Sequence, residues 1–90
     1  MSGARYDMIR ERLNTALAPL QLELHDDSHL HAGHAGAKNG GHYSLRIVSK
    51  KFEGLRTLAR HQLVYGSLGE LMTTDIHALS ITALTPAEAA

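Results

Sequence analysis

The fold is decided by residues 43–84, which read YSLRIVSKKFEGLRTLARHQLVYGSLGELMTTDIHALSITAL. Residues 43–48 and 76–84 alternate side chains between two faces, as strands do. Between them a helix is predicted from Leu55 to Met72, where one stripe contains Leu58, His61, Val64, Leu68, Leu71 and Met72. A helix that links two strands of one sheet favours a right-handed crossover, so we expect these two strands to pair in parallel.

The residues before this stretch predict one more helix and one more strand. Apolar residues recur at helical spacing from Ala4 to Leu17, and Pro19 ends that pattern. Residues 20–25 alternate again and predict a strand that pairs antiparallel with the stretch from residue 43. The order helix, strand, strand, helix, strand predicts an α+β fold with a three-stranded mixed sheet and helices on one face.

Length and composition exclude several classes of protein. Ninety residues predict a single domain over 1–90, in which we expect 1–3 and 86–90 to be flexible tails. The chain has no cysteine, which excludes disulfides and a thiol nucleophile, and its nine basic residues balance nine acidic ones. Neither a membrane span nor a signal peptide is recognisable, so we expect a cytoplasmic protein. Because Ser28 lacks the base and carboxylate that would activate it, we do not expect an enzyme.

The long connection between the first two strands, residues 26–41, carries the chemistry of this sequence. It contains three closely spaced imidazoles, His29, His31 and His34, among several glycines. Imidazole is a common ligand of borderline metals, and long loops in small domains are usually functional or disordered. A parallel third strand begins at the end of the sheet where this loop enters the second strand. We therefore expect His77, on one face with Leu79 and Ile81, to lie near the loop.

Five segments spread along the chain resemble the BolA family. They are LELHDDSHLHAGH (22–34), GHY (41–43), VSKKFEG (48–54), RHQLVY (60–65) and IHALSI (76–81). Each motif alone is weak, but their shared order and spacing extend over nearly the whole chain. The resemblance implies a fold like the type II KH domain and a role as non-catalytic partner of a monothiol glutaredoxin in assembling, moving or sensing iron-sulfur clusters.

The resemblance also implies a set of metal ligands. In the family's heterodimer a bridging 2Fe-2S cluster is held by the glutaredoxin cysteine and glutathione on one side and by the BolA-like chain on the other. The position in the IHAL motif corresponds to His77 and the variable loop position to His31, with His34 and His29 as open alternatives. Relatives with cysteine in the loop differ from this all-histidine chain. No cofactor is expected in the isolated chain.

Other interpretations of the sequence stay open. Some family members are described as transcriptional regulators, and the alternative function is DNA binding through a KH-like basic face formed by Lys50, Lys51, Arg56 and Arg60. Only Gly54 is present where KH domains have a Gly-X-X-Gly turn. The alternative partners are duplex DNA and a second copy of the chain in a weak homodimer. Of the remaining histidines, His61 is interpreted as structural and His25 as solvated, and a ligand role for His42 is given little weight.

Overall fold

The computed structural model describes residues 3–27 and 41–90 and contains four α-helices and three strands within those ranges. The elements follow the order α1 (Gly3–Leu17), β1 (Gln21–Asp26), β2 (Gly41–Val48), a 3₁₀ helix (Lys50–Phe52), α2 (Thr57–Leu68), α3 (Leu71–Thr74), β3 (Ile76–Leu84) and α4 (Pro86–Ala89). The predicted α+β class is confirmed. None of the helices in the described ranges is long and apolar enough to cross a membrane.

The sheet has the predicted topology, with β2 at its centre. β1 pairs antiparallel with β2, from Gln21 opposite Val48 to Asp26 opposite Tyr43. β3 pairs with β2 in parallel, from Gly41 opposite Ile76 to Val48 opposite Leu84. We call the end where β1 stops and β2 and β3 begin the loop end of the sheet, because residues 28–40 join β1 to β2 there. The other end is the far end.

The helices cover one face of this sheet, as predicted. The core combines Ile9, Leu13 and Leu17 of α1, Val64 and Leu68 of α2, and the inward side chains of the strands. The spacing of these helical residues places them on one stripe, which buries them against the sheet. Tyr6 at the start of α1 donates a hydrogen bond from its hydroxyl to the carbonyl oxygen of Leu24 at 2.9 Å, which fixes α1 to β1. The other face of the sheet carries polar side chains such as those of Ser44 and Arg46, and no helix of the described residues packs on it; we call it the open face.

The long helix predicted between the second and third strands is divided in the structure. α2 ends at Leu68 because Gly69 adopts φ +55°, a backbone conformation that favours glycine, and a separate short helix, α3, follows. Leu58, expected on the buried stripe, is 70% exposed. A Cβ placed at Gly66, within α2, meets no atom of the described chain within 4 Å.

The chain ends in a short helix, α4, in place of the expected flexible tail over 86–90. The Thr85 hydroxyl accepts a hydrogen bond from the Glu88 amide at 3.2 Å, and the Glu88 carboxylate accepts one from the Thr85 amide at 2.9 Å. This reciprocal pair is a capping box, with Pro86 at the first helical position. The sequence signal for it, Thr-Pro-Ala-Glu at 85–88, was present.

Candidate metal-ligand site at the loop end of the sheet

We call the connection at residues 26–41, which contains His29, His31 and His34, the histidine loop. The parallel pairing of β2 and β3 brings the end of this loop next to the start of β3, as predicted. The amide of Gly41 donates a hydrogen bond to the carbonyl oxygen of Asp75 at 3.0 Å, and Gly41 is opposite Ile76. His77 is the next residue of β3. Gly41, the first residue of β2, therefore lies opposite the first residue of β3, and His77 is the second residue of β3. His29, His31 and His34 lie outside the described residues.

A register shift decides where the His77 side chain lies. Gly41 is opposite Ile76, but His42 is opposite Ala78, so His77 is an extra residue in β3. Because of this irregularity Ile76 packs in the core at 5% exposure, and His77 is exposed. The expectation that His77 shares the core face with Leu79 and Ile81 was therefore wrong, since the shift reverses the alternation of side chains at this point.

The shift also brings His77 against a second histidine. The ring centroids of His42 and His77 are 4.9 Å apart, and their planes are inclined by 45°. His42 is partly buried on the open face of β2, the same face as Ser44 and Arg46. The contact is not predictable from the sequence around His42, because the register shift that produces it lies at His77, thirty-five residues further along the chain.

The backbone beneath these two imidazoles is held from several directions. The amide of Asp27 donates to the carbonyl oxygen of His42 at 2.7 Å, and the Ser44 hydroxyl donates to the Asp27 carboxylate. On the β3 side the Asp75 carboxylate forms an ion pair with Arg5 of α1 at 3.5 Å. Asp27 and Gly41, the residues on either side of 28–40, are thus both hydrogen-bonded to the backbone of this end of the domain.

Tyr43 supports this end of the sheet from the core side. Its ring lies over Gly41, where a Cβ would be 2.7 Å from the Tyr43 Cζ and hydroxyl oxygen, so glycine is required for this packing. Burial raises the pKa of the Tyr43 phenol, and the Asp26 carboxylate adds to that rise. Among the described residues the buried hydroxyl has no hydrogen-bond partner. Tyr43 is therefore a packing residue that stays protonated at neutral pH.

An open groove of about 340 Å³ lies beside His42 on the open face of the sheet. Its polar lining includes Asp27, Ser44 and Ser80. Within residues 3–27 and 41–90 no group of three His, Cys, Asp or Glu side chains could hold a metal ion. The described part of this site therefore offers two imidazoles and leaves other coordination positions to be supplied from elsewhere.

The residues of the alternative basic face lie around the far end of the sheet. Lys50, Lys51 and Arg56 are exposed there, between β2 and α2. Arg60 differs from them, because its guanidinium donates to the carbonyl oxygens of Leu55 at 2.8 Å and Ala83 at 3.0 Å. It also forms two hydrogen bonds to the Glu88 carboxylate, at 2.6 and 3.2 Å.

The remaining histidines fit their interpretations. His25 is exposed on β1, and His61 is partly buried on α2 beside the core residue Val64. Neither lies among the residues of the groove at the loop end.

These features define a small α+β domain with two imidazole side chains in contact at one end of a three-stranded mixed sheet. The family model described as BolA-like protein matches residues 13–88. The chain belongs to the BolA family.

Individual relatives agree with this assignment. The chain is 46% identical to Protein BOLA1, chloroplastic, of Arabidopsis thaliana over 97% of its own length, and 44% identical to SufE-like protein 1, chloroplastic/mitochondrial, of the same organism over 96%. It spans 59% of the first relative and 25% of the second. The solved structure of the BolA domain of SufE1 from Arabidopsis thaliana superimposes with a TM-score of 0.85 at 46% identity and covers 96% of both chains.

Proposed function

We propose that the chain is a non-catalytic adaptor that pairs with a monothiol glutaredoxin and supplies histidine ligands to a shared 2Fe-2S cluster. His77 on β3 is one ligand in this proposal, and His31 is the second, with His34 and His29 as alternatives. A relative in which a BolA domain belongs to a SufE-like protein supports a role in iron-sulfur biology. Assembly, trafficking and iron sensing all fit this chemistry.

The observation that carries the proposal is the position of His77. Its side chain is exposed at the start of β3, beside the point where the histidine loop re-enters the sheet. A purely structural histidine on a core face would be buried among apolar residues, whereas this one is brought to the surface by a register shift. An exposed imidazole on an anchored strand is suited to bind a metal that arrives with another protein.

The donor set fits half of an iron-sulfur site. Each iron of a 2Fe-2S cluster takes two ligands besides the bridging sulfides, and two imidazoles on one iron are the Rieske arrangement, which raises the reduction potential. A bound cluster supplies one-electron redox chemistry. Because the chain has no cysteine, its imidazoles complete one iron and the thiolates must come from the glutaredoxin and glutathione. His77 and one loop histidine would hold that iron.

Reconstitution tests the proposal. The chain mixed with a monothiol glutaredoxin, glutathione, iron and sulfide is expected to give visible absorption and circular dichroism spectra that differ from those of the glutaredoxin alone. His77→Ala should abolish the difference, and His25→Ala, which removes an exposed imidazole of β1 that does not line the groove, should preserve it. Unchanged spectra with His77→Ala would refute the role of His77.

The loop ligand needs separate variants. His29→Ala, His31→Ala and His34→Ala are expected to differ in the same spectra, with the largest loss for His31→Ala. If His34→Ala or His29→Ala gives the largest loss instead, the second ligand is reassigned while the role of His77 stands. If a variant that carries all three substitutions retains the wild-type spectra, the loop supplies no ligand.

A second candidate function is regulation through duplex DNA. The observation that favours it is the exposure of Lys50, Lys51 and Arg56 at the far end of the sheet. Binding through phosphate contacts would weaken steeply with salt, and Lys50→Ala with Lys51→Ala would flatten that dependence. Because these residues lie at the opposite end from His77, the two variants separate the two functions.

A further inference from the structure

We propose that His42 and His77 form a two-imidazole site that binds a divalent cation of the borderline class, such as Zn²⁺, in the isolated chain. The family resemblance and the proposed function assign no role to His42. The inference is independent of the cluster, because it needs neither glutaredoxin nor the loop histidines. It rests on the ring contact between two histidines from different strands, with centroids 4.9 Å apart.

The backbones of both residues are fixed, so only side-chain rotation is needed to bring two ring nitrogens to one ion. The carbonyl oxygen of His42 accepts a hydrogen bond from the amide of Asp27 at 2.7 Å. The start of β3 is held through Asp75, the residue before it. The Asp75 carbonyl oxygen accepts a hydrogen bond from the Gly41 amide, and the Asp75 carboxylate forms an ion pair with Arg5. Anchored ligands lose little conformational entropy on binding, which favours a chelate.

The surroundings of the pair admit an ion together with its water. His77 is exposed, and His42 lines the open groove on the polar face of the sheet. Among the described residues no third His, Cys, Asp or Glu joins the pair, and in this proposal water or a thiolate supplies the remaining ligands. Neutral imidazole favours Zn²⁺, Cu²⁺, Ni²⁺ and Co²⁺ over Mg²⁺ and Ca²⁺, which prefer oxygen ligands.

The test uses Zn²⁺ alone as the probe and removes the competing loop imidazoles. Isothermal titration calorimetry is run on the full chain carrying His29→Gln, His31→Gln and His34→Gln, which we call the loop variant. We expect one Zn²⁺ per chain. Adding His42→Gln or His77→Gln should weaken binding by at least about tenfold. Adding His25→Gln, which replaces an exposed histidine of β1 that does not line the groove, should change the affinity by less than about twofold.

Two results would overturn the inference. One is a loop variant that binds no Zn²⁺, and the other is His42→Gln binding Zn²⁺ as tightly as the loop variant. Imidazole nitrogen NMR spectra provide a second measurement, in which Zn²⁺ should shift the ring signals of His42 and His77 together while those of His25 and His61 stay in place. Thermal unfolding midpoints check that each variant is folded. Because iron, glutathione and glutaredoxin are absent, failure here leaves the cluster proposal standing, and the reverse also holds.

Discussion

The two ends of the sheet use their polar groups differently. At the far end the buried Ser49 and the partly buried Arg60 are engaged within the protein: the Ser49 hydroxyl donates a hydrogen bond to the carbonyl oxygen of Leu17, and the Arg60 guanidinium donates to the Ala83 carbonyl oxygen and the Glu88 carboxylate. At the loop end the exposed imidazole of His77 contacts the imidazole of His42. Both ends are well anchored through their backbones.

This contrast distinguishes groups that hold the fold together from groups available to a ligand. Buried polar atoms must be paired within the protein, so the far end contributes to stability. The exposed imidazole of His77, on a fixed backbone and in contact with the partly buried imidazole of His42, contributes little to stability and is suited to bind a metal. Substitutions at the far end should therefore change stability without changing metal binding, and substitutions of His77 should do the reverse.

The largest effect on stability is expected for Gly41→Ala, which disrupts the packing of Tyr43 against Gly41 at the loop end. The added Cβ would lie 2.7 Å from the Cζ and the hydroxyl oxygen of Tyr43, whose side chain is buried in the core. We expect a loss of about 3 kcal/mol in the free energy of unfolding, measured by urea denaturation. Gly66→Ala is the matched control, and it should stabilise the protein by about 1 kcal/mol because its Cβ meets no atom within 4 Å. Equal effects of the two substitutions would contradict this packing.

Ser49→Ala is expected to have the next largest effect and tests the far end. The Ser49 hydroxyl is fully buried, donates to the Leu17 carbonyl oxygen at 2.6 Å and accepts from the Lys51 amide at 3.1 Å. Removing it leaves buried backbone groups unpaired, and we expect a loss of about 2 kcal/mol in chemical denaturation. Ser67→Ala removes an exposed hydroxyl bonded to Leu63 and should cost much less. Zn²⁺ affinity should be unchanged in both variants.

A smaller effect, dependent on pH, is expected at the Arg60–Glu88 pair. The hydrogen bonds from the Arg60 guanidinium lower the pKa of Glu88 from its ordinary 4.5 to about 2. Because the ionised carboxylate is favoured in the folded state, its contribution to stability is complete above pH 4.5 and is lost as the pH falls towards 2. The stability difference between wild type and Glu88→Gln should therefore shrink over that range. Glu53→Gln, at an exposed position, is the control, and a difference independent of pH would contradict the pairing.

The smallest effect on stability is expected for His77→Gln. The side chain is exposed, so its replacement should change the free energy of unfolding by less than about 0.5 kcal/mol. A loss comparable with that of Ser49→Ala would mean that His77 has a structural role, and the contrast between the two ends would fail.

The sequence was sufficient to predict the order and pairing of the strands. Alternation located β3 at residues 76–84 as observed, and the helix between β2 and β3 implied their parallel pairing. The placement of His77 near the end of the loop followed from that topology. These features depend on local periodicity and on the handedness of crossovers, both of which a single sequence displays.

The details that define the site depend on contacts between distant residues and were not predictable in the same way. The register shift that exposes His77 and brings it to His42 has no local signal in the sequence. The engagement of Arg60 depends on Glu88, twenty-eight residues away. By contrast, the end of α2 at Gly69 and the capping box at Thr85 did have local signals, a glycine and a Thr-Pro-Ala-Glu sequence, although a continuous helix to Met72 and a flexible tail over 86–90 were predicted there.

The most direct measurement of the central claim is pulsed electron paramagnetic resonance on the reduced cluster complex, with this chain alone carrying ¹⁵N-labelled histidine and the glutaredoxin unlabelled. The account predicts ¹⁵N hyperfine couplings from imidazole nitrogens bound to iron, and the loss of one of them in His77→Gln. A reduced cluster without ¹⁵N couplings, or with the same couplings in His77→Gln, would contradict the claim that the loop end of the sheet supplies its ligands through His77.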